Sequence, residues 1–452
     1  MTHGSEDKPA SVPHDDLSSE TKQAGKAPVR WSWVERIVWT QGMLSALLNG
    51  VKGGKWYSLW DKVGKRYNLY AAWPKVLRNK GAAGVDHQTI EMFDENSRAN
   101  LDQLHKELQE GTYRPSPIRR VWIDKPGAKE KRPLGIPTVR DRLVQTALRN
   151  VLEPIFDKDF AEHSYGFRPG RGCHDALDRV EQLLEAGYQF VVDADLRQYF
   201  DTIPRQPLVE RIKEKVADGK VISLIEKFLE QNIMDGLQEW TPTSGSPQGA
   251  VISPLLSNIY LDPLDHLMVA EGFEMVRYAD DFVVLCRTRE DAQRALGIVQ
   301  RWTQDNGLTL HPTKTKIVDA VTEGFEFLGY RYVANTRVPR DKSTARLKET
   351  IRRKTSRRNG HSLPVIITSL NSTLRGWFTY FRRSNGTPFP RLDSYIRRRL
   401  RTLLRRRSKR KGQGHTYRDH KQYPNAFFAK HGLFSLAAAH AQFRQSALAA
   451  NH

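Results

Sequence analysis

Cysteine is scarce in this chain of 452 residues, which contains only Cys173 and Cys286. Two cysteines cannot build the disulfide framework of a small secreted protein or a four-cysteine zinc site. Long apolar runs are also missing, since no stretch reaches the roughly 18 residues of a membrane-spanning helix. Residues 1–30 are polar and lack the apolar segment of a signal peptide. These absences predict a soluble protein of the cytoplasm.

Acidic residues are outnumbered, because 51 Asp and Glu stand against 72 Lys and Arg and give a net charge of +21. Most of the excess lies in residues 343–411, which hold 21 Lys and Arg but only two acids, Glu349 and Asp393. A basic excess of this size on a soluble chain predicts a polyanionic partner, most often nucleic acid. A charge run is often only a solvated face or a disordered tail. Apolar residues interleave with this one, which favours amphipathic helices.

Changes in composition divide the chain into five segments. Residues 1–30 are rich in Ser, Asp, Lys and Pro without apolar periodicity, which predicts a disordered lead. Residues 31–115 have a helical pattern. Residues 116–340 alternate β-rich runs with helical segments, which predicts an α+β domain. Residues 343–411 form the basic helical segment, and residues 412–452 form a C-terminal segment.

Two amphipathic helices are predicted within the basic segment. The first has apolar residues on one face at Ile366, Leu370, Leu374, Trp377 and Phe381, and the second has them at Leu392, Ile396, Leu400 and Leu403. Their outer faces are expected to be strongly cationic. The aromatic residues of the first helix could stack on bases, but helical spacing favours a core position for Trp377 and Phe381.

The segment FEMVRYADDFVVLC places Asp280 and Asp281 between two apolar β-type runs. This pattern predicts a hairpin with the two acids at its tip. Adjacent carboxylates repel each other, and a bound dication relieves that repulsion. The alternative is an ordinary acidic turn.

A second apolar run, QFVVDADLRQYFDTI, places Asp193 and Asp195 on the same face of a predicted strand, with Asp201 following an aromatic pair. Periodicity alone does not choose between Asp193 and Asp195. Nucleotidyl transfer needs oxygen ligands for two Mg²⁺ ions, and three carboxylates from neighbouring strands would supply them. Between the two acidic segments lies the glycine-containing turn TSGSPQG, which would let the backbone approach a ligand closely.

The order of an acidic strand, a PQG turn and a Y-x-D-D hairpin resembles the palm of the reverse transcriptase family. Four further segments narrow the resemblance to bacterial group II intron reverse transcriptases: KGAAGVD at 80–86, GTYRPSPIRRVWI at 111–123, RPLGIPTVRDRLVQTAL at 132–148 and SYGFRPGRGCHDAL at 164–177. The resemblance implies a right-hand polymerase with α+β fingers and palm. LNSTLRGWFTYFRR at 370–383 resembles the α-helical thumb, or maturase domain X.

The resemblance also implies roles for single residues. Asp195, rather than Asp193 or Asp201, matches the first metal ligand, with Asp280 and Asp281 as the hairpin ligands. The remaining matches are Lys125 and Arg132 for the incoming triphosphate, Phe200 for a steric gate beneath the nucleotide sugar, Gln248 and Gly249 for template and nucleotide, and Lys314, Leu328, Gly329 and Arg375 for primer and template.

The cofactor implied by the resemblance is a pair of Mg²⁺ ions, which Mn²⁺ could replace. The implied partners are group II intron RNA, an RNA template paired with a DNA primer, dNTPs and target DNA, with no membrane. A Cys-rich endonuclease module, which the longest family members carry, is not evident, so autonomous cleavage of the second DNA strand is not expected. Two alternatives stay open: an RNA-binding splicing factor with a vestigial polymerase site, and a group II-like reverse transcriptase used in defence or repair.

Overall fold

The computed structural model describes residues 31–124, 131–334, 336–356 and 358–450. Helices and strands alternate from residue 118 to residue 339, and the predicted α+β class is confirmed. The strands are β1 Ile118–Asp124, β2 Lys131–Ile136, β3 Phe190–Asp195, β4 Ile233–Asp235, β5 Gln238–Trp240, β6 Glu274–Tyr278, β7 Asp281–Cys286, β8 Lys316–Asp319, β9 Phe325–Phe327, β10 Tyr330–Val333 and β11 Thr336–Pro339.

Helices are the other regular elements of the described chain. Those before β3 are α1 Gln41–Asn49, α2 Trp60–Val63, α3 Arg66–Arg78, α4 Ile90–Glu95, α5 Ser97–Glu110, α6 Val139–Asp157 and α7 Cys173–Glu185. Those between β3 and β8 are α8 Tyr199–Thr202, α9 Arg205–Lys213, α10 Gly219–Leu229, α11 Ser253–Ala270 and α12 Arg289–Asp305. Those after β11 are α13 Asp341–Lys354, α14 Leu363–Phe381, α15 Pro388–Arg407, α16 Tyr417–Gln422, α17 Asn425–Lys430 and α18 Leu436–Ala450.

The described residues divide into two compact units. The first takes in the chain up to Gln182, then Ala194–Leu285 and Glu290–Lys316. The second takes in Leu183–Asp193, Cys286–Arg289 and the chain from Ile317 onward.

Helix α6 is the central helix of the first unit. Thr138 caps its N-terminus by accepting a hydrogen bond from the amide of Asp141 at 3.2 Å. Nearly every residue of α6 is buried, on all sides of the helix. A helix buried all round lies inside a core rather than on its surface, and α3 packs against it.

The strands of the described residues form three sheets. The first unit contains a sheet of order β2-β1-β4-β5, in which β1 and β2 form an antiparallel ribbon and β4 pairs in parallel with β1. The second unit contains the sheet β11-β10-β9. The order of the remaining sheet is β6-β7-β3-β8.

The hydrophobic core of the second unit is built by helices. The apolar faces predicted for α14 and α15 are buried, which confirms both helices. Phe381 is buried and Trp377 is half-buried against the same core, so both are core residues as predicted. The core continues past residue 411, because Phe428 and Leu436 pack into it.

Candidate active site

The acidic hairpin forms as predicted. Strands β6 and β7 pair antiparallel, and Tyr278 lies opposite Asp281, so only Ala279 and Asp280 make the turn. Ala279 has φ of 62°, in the left-handed region that glycine usually occupies. The tight turn holds Asp280 and Asp281 at the tip, where both side chains are half-buried.

Asp195 is the last residue of β3, and the segment after α12 lies along it. The amide of His311 donates to the carbonyl oxygen of Asp195 at 2.7 Å, and the amide of Arg197 donates to Thr309. This pairing brings Lys314 over the strand end, where its Nζ lies 2.5 Å from Oδ2 of Asp195. Asp195, predicted as a metal ligand, and Lys314, predicted to contact the primer, are therefore direct partners.

The acids of the two strands interact electrostatically. Burial raises the pKa of Asp280, and the negative charge of Asp195 raises it further, while Arg277 and Lys314 act in the opposite direction. Each added carboxylate therefore makes ionisation of the others harder. A cation bound here would favour the ionised form of Asp280.

The donor set fits a divalent metal ion in its chemistry. Asp195, Asp280 and Asp281 offer hard carboxylate oxygens, and the charge of Asp195 already acts on Asp280. In the conformation described, however, no group of three His, Cys, Asp or Glu side chains in residues 31–450, as far as they are described, could hold a metal ion. Binding would therefore require side-chain movement. The ligand roles of the three acids remain predictions.

Phe200, the predicted steric gate, lies in the short helix α8 directly after β3. Its carbonyl oxygen accepts a hydrogen bond from the amide of Ser246 at 2.8 Å. Gly245 packs so tightly here that an added Cβ would lie 2.7 Å from the carbonyl oxygens of Phe200 and Asp201. The glycine-containing turn is therefore fixed against the backbone of the predicted gate.

The same turn also contacts strand β2. The amide of Gly135 donates to the carbonyl oxygen of Gln248 at 2.7 Å, and a Cβ on Gly249 would lie 2.3 Å from the carbonyl oxygen of Gly135. Glycine at 249 is thus required both by this close approach and by its φ of 109°. On β2, Arg132 lies three residues before Gly135 and is exposed. Phe200, Gln248, Gly249 and the strand of Arg132 are therefore gathered in the first unit, whereas Lys125 lies outside the described residues.

Leu328, Gly329 and Arg375, which are predicted to contact the primer and template, lie in the second unit. Leu328 and Gly329 form the two-residue turn between β9 and β10, with φ of 46° and 82°. Tyr380 donates from its hydroxyl to the carbonyl oxygen of Leu328 at 2.7 Å, which ties the turn to α14. Arg375 is exposed on α14, and its guanidinium lies 4.6 Å from the ring centre of Phe434.

Not every arginine of the basic helix α15 lies on its exposed face. Arg401 is only 2% exposed and donates to the carbonyl oxygen of Tyr423 and to Oδ1 of Asn425. Arg405 donates to the buried carboxylate of Asp419 at 2.8 Å. Arg391, Arg398 and Arg406 are exposed. Some arginines of α15 therefore hold the C-terminal helices, and others face solvent.

An exposed aromatic group on the β2-β1-β4-β5 sheet was not predicted from the sequence. The guanidinium of Arg120 lies 5.7 Å from the ring centre of Trp122 and 4.7 Å from that of Trp240. Trp122 is 47% exposed and donates from its indole nitrogen to Asp235 at 2.9 Å. Arg120 and Trp122 are two residues apart in one strand, and this spacing could have predicted that they share a face. The approach of Trp240 could not be predicted, because it depends on the sheet order.

Comparison with known protein families gives two matches in chain order. Residues 123–332 match the model for "Reverse transcriptase (RNA-dependent DNA polymerase)", and residues 344–423 match "Group II intron, maturase-specific domain". The protein YkfC of Escherichia coli K12 is 34% identical over 299 residues, which covers 57% of this chain and 78% of YkfC. The chain belongs to the group II intron reverse transcriptase and maturase family. The matched ranges contain all of the predicted site residues.

A second relative within this family is the group II intron-encoded protein LtrA of Lactococcus lactis subsp. cremoris. It is 39% identical over 202 residues, which covers 44% of this chain. The chain spans about a third of the length of LtrA, since 33% of that protein is covered. Among solved structures, a telomerase chain from Candida albicans aligns with a TM-score of 0.40 at 12% identity, covering 74% of this chain and 69% of that one.

Through the described parts of the chain, every helix is too short or too polar to cross a membrane.

Proposed function

We propose that this protein is an RNA-directed DNA polymerase of the group II intron type. It extends a DNA primer on an RNA template and binds intron RNA for splicing and for insertion of the intron into target DNA. The observation that carries the proposal is that Asp280, at the tip of the acidic hairpin, interacts electrostatically with Asp195, at the end of β3. There the charge of Asp195 acts on Asp280, and Lys314 pairs with Asp195. We place this activity in the cytoplasm.

In this proposal Asp195, Asp280 and Asp281 hold two Mg²⁺ ions, for which Mn²⁺ can substitute. The bound ions supply activation of the primer 3′-hydroxyl and stabilisation of charge on the transferred phosphate and the leaving group. Chain residues do the rest. Arg132 and Lys125 bind the triphosphate as cations, and Phe200 lies beneath the sugar and excludes a 2′-hydroxyl.

The second unit supplies the contacts to the duplex and to intron RNA. Exposed arginines such as Arg375 and Arg398 bind phosphates, with an affinity that falls as salt is added. Leu328 and Gly329 present a rigid turn to the primer. Gln248 and Gly249 present a turn to the template and the nucleotide, fixed by the contact with Gly135.

The experiment that tests the proposal measures dNTP incorporation on an RNA template annealed to a DNA primer, with Mg²⁺ present. The wild type is compared with the double variant Asp280→Ala, Asp281→Ala. A matched control, Glu290→Ala with Asp291→Ala, removes two adjacent acids at the start of α12. Binding of the same RNA is measured for all three proteins.

Synthesis by the wild type and the control, with none by the hairpin variant and equal RNA binding by all three, is the expected result. Tight RNA binding without synthesis by any of them supports the splicing-factor alternative instead. A role in defence or repair predicts the same polymerase activity, and it is distinguished by the absence of a group II intron RNA beside the coding sequence.

A further inference from the structure

Arg277 is a fully buried arginine three residues before Asp280. It lies on β6, and its exposed fraction is 0%. A buried guanidinium is costly unless each of its N–H groups is paired. Its presence under the tip of the acidic hairpin therefore calls for a complete set of partners.

The structure supplies that set within the first unit. The Nε and Nη2 groups of Arg277 donate to the carboxylate of Asp265 on α11, with Nε lying 2.7 Å from Oδ1. Nη2 also donates to the hydroxyl of Ser164 at 2.7 Å, and Nη1 donates to Oδ1 of Asn258 at 2.9 Å. The remaining hydrogen bond runs from Nη1 to the carbonyl oxygen of Ala279, also at 2.9 Å.

The hydrogen bond to Ala279 differs from the others because it reaches the hairpin turn itself. That carbonyl belongs to the peptide joining Ala279 to Asp280, in a turn of only these two residues. Ala279 has a positive φ without being glycine, so its backbone must be held by its surroundings. Since a peptide unit is planar, fixing its carbonyl also fixes the direction in which the chain enters Asp280.

The other side of the turn is blocked by backbone. A Cβ on Gly166 would lie 2.2 Å from the amide nitrogen of Ala279, so glycine is needed for this approach. The carbonyl oxygen of Gly166 accepts a hydrogen bond from Nδ2 of Asn258 at 2.8 Å, and Asn258 is itself a partner of Arg277. The turn is therefore held between Gly166 and the guanidinium, with Asn258 bonded to both.

We propose that Arg277 is a positioning residue, which holds the peptide between Ala279 and Asp280 so that the carboxylates of Asp280 and Asp281 are aimed together at the metal ions. Arg277 touches neither substrate nor metal, and it acts through the backbone of the turn. The inference rests on the proposed function, because it assumes that the two acids are metal ligands.

The test separates removal of the hydrogen bond to the turn from disruption of a buried charge pair. Removing Arg277 alone would leave Asp265 buried and unpaired, which is destabilising. The main variant is therefore Arg277→Met with Asp265→Leu, since apolar replacement of a whole buried pair is usually tolerated. Arg277→Lys is the second variant, because a point charge can pair with Asp265 but lacks the planar fork that also reaches Ala279. Ser164→Ala is the matched control, which removes one partner of Arg277 and leaves the hydrogen bond to Ala279 intact.

Two readouts are measured for each protein, after circular dichroism and melting have established that it is folded. The first is binding of Mn²⁺ without nucleic acid, which needs no polymerase activity. The second is kcat and KM for dNTP on the annealed primer. We expect both Arg277 variants to bind Mn²⁺ about tenfold more weakly or worse, and to show a kcat reduced by a similar factor with KM nearly unchanged. The Ser164→Ala variant should match the wild type in both.

The outcomes separate this inference from the proposed function. Weaker Mn²⁺ binding by the Arg277 variants, with a wild type that makes no DNA, would support the positioning role while rejecting polymerase activity. Wild-type Mn²⁺ binding by a folded Arg277 variant overturns the inference, even if the wild type is an active polymerase. If neither Arg277 variant folds, Arg277 is a folding residue and the positioning role is rejected.

Discussion

Lys314 and Asp195 form a direct ion pair across 119 residues of sequence, with 2.5 Å between Nζ and Oδ2. The lysine therefore supplies positive charge to one of the three acids for which metal ligation is proposed. A metal ion coordinated by Asp195 must share or replace this interaction. The ammonium group of Lys314 and the metal ion are thus competitors for the same carboxylate.

Lys314→Gln should therefore strengthen metal binding in the absence of substrate. Lys314 is exposed and Asp195 is half-buried, so solvent screening limits the expected effect to about two- to fivefold in the dissociation constant for Mn²⁺. Electron paramagnetic resonance of free Mn²⁺ measures this constant directly. Lys316→Gln removes the same charge from an exposed position two residues away and should have a smaller effect. Equal effects from the two variants would show that net charge, and not the ion pair, controls binding.

Phe200→Val should relax the choice of sugar. If the aromatic ring lies beneath the nucleotide, a smaller side chain makes room for a 2′-hydroxyl. The ratio of rNTP to dNTP incorporation should then rise by at least about tenfold. Single-nucleotide extension with matched rNTP and dNTP measures the ratio. Phe200→Tyr keeps the ring and should retain the wild-type ratio. An unchanged ratio in Phe200→Val would remove Phe200 from the nucleotide site.

Local pattern was enough to predict the acidic hairpin and its partner strand. Apolar β-type runs on both sides of Asp280 and Asp281 predicted a turn between them, and the alternation in β3 left Asp193 and Asp195 less buried than Ala194. The interactions around these acids were not predictable in this way. Arg277 interacts with residues of α11 and with Ser164, which is 113 positions away in the sequence. Such partners depend on tertiary packing and carry no local signal.

The arginines of α15 illustrate a second limit of the sequence. Helical periodicity correctly predicted the buried face at Leu392, Ile396 and Leu400. It could not separate Arg398, which is exposed, from Arg401, which is buried. The partners of Arg401 are Tyr423 and Asn425, in a segment for which the sequence predicted no element. Only the packing of the C-terminal helices decides which arginines remain available to RNA.

Asp141 should make the stability of the fold depend on pH. Burial raises its pKa from 3.8 to about 6, despite hydrogen bonds from Tyr113, Thr138 and Ser116. The folded state therefore holds this proton more tightly than the unfolded state does. Its contribution is complete below about pH 4 and is lost as pH rises to about 6, with a total change of about 3 kcal/mol. Well above pH 6 Asp141 is ionised in both states, and the free energy of unfolding no longer changes with pH because of this residue.

Urea unfolding between pH 4 and pH 7 measures the effect of Asp141. The free energy of unfolding of the wild type should fall with rising pH relative to that of Asp141→Asn, which has no proton to lose. Asp61→Asn changes an exposed acid and should follow the wild type. Parallel pH profiles for wild type and Asp141→Asn would mean that Asp141 ionises normally in the folded protein.

RNA binding should depend on the exposed arginines of α15 and not on the buried one. Arg391, Arg398 and Arg406 face solvent, and the first two line a cavity of about 600 Å³ beside Tyr395. Changing all three to Gln should weaken RNA binding and lower the slope of log affinity against log salt by up to about 0.7–0.9 for each phosphate that is no longer neutralised. The melting temperature should stay near that of the wild type, since these side chains are exposed.

Two comparison variants make this prediction specific. Replacing Arg289, Arg294 and Arg301 by Gln removes three exposed charges at and along α12 and should leave the salt slope unchanged. Arg401→Gln should instead lower the melting temperature, because it breaks the hydrogen bonds to Tyr423 and Asn425 and leaves buried polar groups unpaired. An equal drop in RNA affinity in the α12 and α15 triple variants would mean that net charge alone drives binding. In that case α15 would not be a specific RNA-binding surface.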